Sequence, residues 1–213
     1  MKLKTGLLLF FILLLGHVCF HVESNCLKGC DVALASYYII PSIQLRNISN
    51  FMQSKIVLTN SFDVIMSYNR DVVFDKSGLI SYTRINVPFP CDCIGGEFLG
   101  HVFEYSASKG DTYETIANLY YANLTTVDLL KRFNSYDPKN IPVNAKVNVT
   151  VNCSCGNSQV SKDYGLFITY PIRPGDTLQD IANQSSLDAG LIQSFNPSVN
   201  FSKDSGIAFI PGR

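Results

Sequence analysis

Tryptophan is absent from this 213-residue chain, and histidine is nearly so, with His17, His21 and His101 the only three. Chemistry that relies on several imidazoles has little to work with here. Charge is also sparse: charged residues make up 16% of the chain, and 17 basic side chains meet 17 acidic ones. Without a basic surplus there is no electrostatic footprint for tracking phosphates, which argues against a nucleic-acid partner. The 46% hydrophobic content excludes a disordered chain, which could not bury enough apolar surface to offset its ordering entropy. One long apolar run occurs, Leu7 to Leu15, continued by Val18, Cys19 and Phe20. It follows Lys2 and Lys4 and is interrupted at Gly16-His17. This reads as a secretory signal peptide over residues 1–24 rather than a span of about 20 apolar residues. No later stretch is apolar enough to cross a bilayer, so the chain as given reads as secreted.

Six cysteines follow the leader: Cys26, Cys30, Cys91, Cys93, Cys153 and Cys155. An even number in an exported chain points to disulfides. Zinc ligand pairs usually leave two to four residues between cysteines, whereas Cys91/Cys93 and Cys153/Cys155 leave one, so no metal site is expected. Six cysteines allow fifteen pairings. Forbidding bonds within Cys26/Cys30, Cys91/Cys93 and Cys153/Cys155, where disulfide geometry is strained, leaves eight. In each of the eight, every cysteine pair is bonded to both others, so one closed cluster results whichever holds.

That cluster divides the chain into three segments of about 60 residues each, and near-equal segments are the mark of internal repeats. Gly110-Asp111-Thr112-Tyr113-Glu114-Thr115-Ile116-Ala117-Asn118 matches Gly175-Asp176-Thr177-Leu178-Gln179-Asp180-Ile181-Ala182-Asn183. Phe133-Asn134 then matches Phe195-Asn196, and Ile141-Pro142 is aligned with Ile210-Pro211. The first segment diverges, but Ser67-Tyr68-Asn69 stands at the Phe-Asn position and Val87-Pro88 at the closing one.

Each repeat gives one local pattern. Val102 to Tyr105 and Leu166 to Tyr170 are β-branched and aromatic with partial alternation, as strands are. Gly-Asp-Thr reads as a turn and helix start, and Asp111/Glu114 and Asp176/Gln179 have capping-box spacing. Ile116, Ala117 and Tyr120 continue at helical spacing, and Val127, Leu130 and Lys131 begin a second helix capped by Thr125-Thr126. Lys146 to Val151 alternates as a closing strand. Strand–helix–helix–strand in fewer than about 50 residues buries too little to stand alone, which is where the disulfide cluster is needed.

These residues resemble lysin motif (LysM) modules. Three of them joined by Cys-x-Cys spacers are similar to the ectodomain of plant LysM receptor-like kinases, over essentially the whole mature chain. Residues 91–213 look like a legume Nod-factor receptor, whereas Tyr38 to Pro90 look closer to chitin-elicitor receptors, as in a composite of the two. The resemblance implies an α+β fold of three βααβ modules, at residues 31–90 (divergent), 97–152 and 163–211. It selects Cys26–Cys93, Cys30–Cys155 and Cys91–Cys153 from the eight pairings. It further implies recognition of N-acetylglucosamine oligomers, either chitin fragments or lipochitooligosaccharide Nod factors, in symbiosis or immunity signalling. A co-receptor of the same family, a C-terminal transmembrane helix and a cytoplasmic serine/threonine kinase complete the implied parent, with this chain on the extracellular face of the plasma membrane. No cofactor is implied.

Within such modules the ligand groove lies between the loop after the first strand and the loop before the second. In the second module these are Lys109-Gly110-Asp111-Thr112-Tyr113-Glu114-Thr115 and Asp137-Pro138-Lys139-Asn140-Ile141-Pro142-Val143. Neutral sugars rich in amides and hydroxyls suit backbone donors and acceptors with small apolar patches. Asp111, Thr112 and Glu114 read equally as helix caps, Ile141 as partly core, and Lys109 as a solvated charge. The first module departs from Gly-Asp-Thr: its loops are Pro41-Ser42-Ile43-Gln44-Leu45-Arg46 and Val73 followed by Phe74-Asp75-Lys76-Ser77-Gly78. Their apolar residues read as a specificity surface or as local packing.

Glycosylation sequons stand at Asn47, Asn123, Asn148, Asn152, Asn183 and Asn200, which calls for exposed loops in an exported protein. A hydrolase reading needs two carboxylates facing across a cleft. Here Asp and Glu are scattered over helix starts, so this chain is not expected to be an enzyme. A secreted chitin-binding or decoy protein without a signalling kinase remains as the alternative.

Overall fold

The computed structural model describes residues 26, 28–41, 43–60, 62–73, 79–155 and 166–212. The expected leader at 1–24, Ser42, the Phe74–Gly78 segment and residues 163–165 of the third expected module lie outside them.

The first unit runs β1 (Cys30–Tyr38), α1 (Leu45–Phe51), α2 (Phe62–Ser67) and β2 (Arg84–Ile94). The second runs β3 (Phe98–Ser106), the π-type helix α3 (Thr115–Tyr120), α4 (Val127–Phe133) and β4 (Lys146–Asn152). The third runs β5 (Leu166–Pro171), α5 (Leu178–Ser185), α6 (Ala189–Phe195) and β6 (Ile207–Gly212). The α+β class and the three βααβ units expected from the sequence are both present. The six strands merge into one sheet of order β4-β3-β2-β1-β5-β6. Its joints are antiparallel between β2 and β3 and parallel between β1 and β5.

β1 is paired on both edges and covered on both faces, so its sequence carries small residues among large ones. Ala33, Ala35 and Tyr37 enter the main core, while Leu34, Ser36 and Tyr38 face a cleft against the third unit. The first two units share that single core, and the third has its own around Ile181, Ile192 and Ile210. The widened turns of α3 hydrogen-bond from Tyr121 N to Ile116 O. They leave the Tyr120 carbonyl to accept from the Tyr37 hydroxyl at 2.6 Å, and Tyr121 donates to Phe51 O at 2.7 Å. Helix and first unit are thus locked together by two tyrosines.

The three disulfides are Cys26–Cys93, Cys30–Cys155 and Cys91–Cys153, closing separations of 67, 125 and 62 residues. The sulfurs of Cys30, Cys91 and Cys155 lie near one another, but all are committed to disulfides and offer no thiolate to a metal.

Two sequence expectations are corrected. The helix caps fall one residue later than Asp111/Glu114 and Asp176/Gln179, as a full box at Thr112/Thr115 and a single cap bond at Thr177. Thr112 and Thr115 exchange N–H···Oγ bonds at 2.8 and 3.1 Å, and Thr177 Oγ1 accepts from Asp180 N at 3.1 Å. The aspartates close the preceding turn instead, Asp111 accepting from Ser108 N and Asp176 from Arg173 N. Gly110 and Gly175, both at φ 89°, supply the left-handed residue that this turn needs. Ile141-Pro142 and Ile210-Pro211 are not equivalent. Ile210 lies within β6, and its counterpart is Val149 in β4, because Asn134 pairs with Asn148 as Asn196 pairs with Phe209. Ile141 belongs to the longer loop before β4.

Candidate functional site

The second unit brings the two expected loops together. Tyr113 N, after β3, donates to Pro138 O, before β4, at 2.9 Å. Around this bond lies a cleft of about 480 Å³, lined by Thr112, Tyr113, Glu114, Val127, Lys131, Asp137, Pro138 and Lys139. One wall is set by the Thr112/Thr115 cap. The other is held by Asp137, whose Oδ1 accepts from Lys139 N at 2.9 Å and whose carbonyl accepts from Asn140 N at 3.1 Å. This small aspartate turn fixes the loop without a regular element.

The remaining expected residues sort by burial. Asp111 is 4% exposed and supports the loop from behind. It accepts from Tyr105 Oη at 2.6 Å and Tyr120 Oη at 3.0 Å. Burial, with the Asp111 hydrogen bond second, pushes the Tyr105 phenol well above its ordinary value. Ile141 is also 4% exposed and packs in the core. Thr115 is half-buried in its cap, and Lys109, Gly110, Asn140, Pro142 and Val143 are exposed outside the cleft lining.

Val127 and Lys131, one turn apart on α4, form a wall that loop-based reasoning missed. Their i, i+4 spacing on a helix entering beside the loop was the available signal. The cleft balances two acids, Glu114 and Asp137, against two bases, Lys131 and Lys139. With no net charge, hydroxyl and backbone groups and two aliphatic side chains, Val127 and Pro138, it suits a neutral ligand with polar and apolar parts.

In the first unit Pro41, Gln44 and Arg46 are exposed, Ile43 is half-buried and Leu45 is buried at the start of α1. Of the sequon asparagines, Asn148, Asn183 and Asn200 are exposed, while Asn47, Asn123 and Asn152 are half-buried.

Three βααβ units, cross-tied at their strand ends and carrying a loop-lined cleft, constitute a multi-LysM ectodomain. A LysM domain model matches residues 168–211, and a LYK3/4/5 LysM2 domain model matches residues 98–151. LysM domain receptor-like kinase 3 of Medicago truncatula is 78% identical over 213 residues, covering 100% of this chain and 34% of that protein. Chitin elicitor receptor kinase 1 of Arabidopsis thaliana is 47% identical over 215 residues, with coverage of 100% and 34%. The crystal structure of the LYK3 ectodomain matches with a TM-score of 0.84 at 80% identity, covering 89% of this chain and 93% of that one. The chain belongs to the LysM receptor-like kinase family and corresponds to its ectodomain. It spans about a third of the length of these curated relatives, and no helix among the described residues is long and apolar enough to cross a membrane.

Proposed function

We propose that this chain is the extracellular carbohydrate-recognition part of a cell-surface receptor kinase, and that the second-unit cleft binds N-acetylglucosamine oligomers. The observation that carries the reading is the Tyr113–Pro138 backbone bond, which gathers both loops around a charge-balanced cleft of about 480 Å³. Thr112, Glu114, Asp137 and Lys139 offer hydrogen bonds to sugar hydroxyls and amides, and Val127 offers an apolar wall to an acetyl methyl. The first unit's Pro41–Arg46 and Phe74–Gly78 loops select between chitin fragments and lipochitooligosaccharides. The parent protein carries the chain outside the plasma membrane and signals with a co-receptor of the same family. LysM units at 31–90, 97–152 and 163–211 are the divisions this reading uses.

Titration calorimetry with an N-acetylglucosamine tetramer tests the site. Without tryptophan to stack on, a shallow cleft binds with Kd on the order of tens of micromolar, about −6 kcal/mol. Val127→Glu places a charge on the apolar wall while remaining compatible with the first turn of α4, where an acidic side chain is favourable. Binding falls at least tenfold, with a modest drop in melting temperature because Val127 also packs against the main core. Undiminished binding by this folded variant moves the site elsewhere.

A further inference from the structure

The third unit repeats the cleft of the second. Thr177, Leu178 and Gln193 stand where Thr112, Tyr113 and Lys131 stand in the second unit, and the cleft they line with the loop before β6 is about 630 Å³. Two bonds of the loop turn recur, although the Tyr113 N–Pro138 O bond of the second unit has no counterpart among the described residues of the third. Asn200 Oδ1 accepts from Ser202 N at 2.9 Å and Asn200 O accepts from Lys203 N at 3.1 Å. Asp137 makes the same two bonds to Lys139 N and Asn140 N. At the turn residue itself the second cleft has a carboxylate and the third a carboxamide, and Asn200-Phe201-Ser202 is a glycosylation sequon. Asn200 is exposed on the cleft rim, its Oδ1 is used in the turn, and among the described residues its Nδ2 has no hydrogen-bond partner. The turn therefore holds the side chain with the atom that takes a glycan turned free.

We propose that an N-linked glycan on Asn200 closes the third-unit cleft, leaving the second-unit cleft as the open sugar site. This rests on the carbohydrate reading given above. An N-linked glycan begins with two β-1,4-linked N-acetylglucosamines, the chemistry that reading assigns to the ligand. Tethered by one side chain at the rim, these sugars reach the cleft at a local concentration that a free oligomer binding in the micromolar range does not match. Sequence comparison of the two repeats cannot show this, because the loops differ in length and Asp137 aligns with Asn200 only through their hydrogen bonds.

The test uses protein secreted from a glycosylating eukaryotic cell. Glycopeptide mass spectrometry finds Asn200 occupied, and titration with the N-acetylglucosamine tetramer gives one site per chain. Asn200→Asp keeps the turn acceptor and copies Asp137, and Ser202→Ala removes the sequon while leaving Asn200 itself. Both raise the stoichiometry to two, and Ser202→Ala combined with Val127→Glu retains one. An unoccupied Asn200 overturns the proposal, as does a stoichiometry of one in both single variants with unchanged melting. The absence of tetramer binding in every form is a different result, and sinks the carbohydrate reading with it.

Discussion

Arg84 Nη2 lies 2.9 Å from Asp176 Oδ2, an ion pair joining the closing strand of the first unit to the glycine turn of the third. The same nitrogen donates to Pro171 O at 2.8 Å, and the guanidinium sits 3.9 Å from the centre of the Tyr170 ring. Burial lowers the Arg84 pKa, and Asp176 works against that shift. The third unit has its own core and, among the described residues, pairs with the first through two registered positions of the parallel ladder, Leu34 with Ile168 and Ala35 with Thr169. Arg84, and Arg173, whose guanidinium sits 3.7 Å from the centre of the Tyr38 ring, are therefore specific side-chain ties across that joint. The Cys30–Cys155 bond holds the segment that precedes the third unit.

Arg84→Met leaves Asp176 half-buried without its cation. Breaking such a pair costs about 2 to 3 kcal/mol, below the range for fully buried pairs because both side chains are partly wet. Differential scanning calorimetry is expected to resolve an earlier transition for the third unit. A single unshifted transition would show that the strand pairing and disulfide suffice.

Three asparagines perform one task. Asn69 donates to Ile65 O and Asn86 O and accepts from Asn86 N, with each bond at 2.7 Å. Asn134 does this for Leu130 and Asn148, and Asn196 for Ile192 and Phe209. Asn69 and Asn196 are buried, whereas Asn134 is half-buried. Replacing either buried one by Ala strands the backbone N–H and C=O of the closing strand, and at Asn196 also Ile192 O, and costs about 2 to 4 kcal/mol, against about 1 kcal/mol at Asn134, where water can enter. Urea unfolding of the three variants checks the ranking, and equal losses contradict it.

The Tyr170 phenol is pushed from 10.0 up to about 12, chiefly by burial, with the Arg84 charge opposing the shift. Between those values the folded chain holds a proton that the unfolded chain has released, so its stability falls as pH rises. Below pH 10 this contribution is constant. Melting temperature against pH should be flat on its account below pH 10 and decline above it, with a smaller decline in Tyr170→Phe. An identical decline in the variant assigns the loss to the other buried tyrosines.

Much of this was legible in the sequence because it is periodic. The Gly-Asp-Thr and Phe-Asn matches located the turns and clamps, and cysteine spacing alone required a closed cluster. What failed was register inside loops. Ile141-Pro142 resembles Ile210-Pro211 as letters, yet only hydrogen bonding shows that Val149 is the counterpart of Ile210. Asp111 and Thr112 are adjacent, and which one caps depends on the φ of Gly110, a backbone property with no side-chain signature. Val127 was legible as helix but not as cleft wall, since its neighbour Pro138 comes from another segment.

The asparagine clamp has a bearing on how such molecules diversify. It pins both ends of the chain between the second helix and closing strand of each unit, across 17, 14 and 13 residues in turn. Length and composition between the pins can drift while the sheet beneath registers nothing. Each unit therefore carries an interchangeable cassette, and new recognition can be tried in one of them without renegotiating the architecture of the other two.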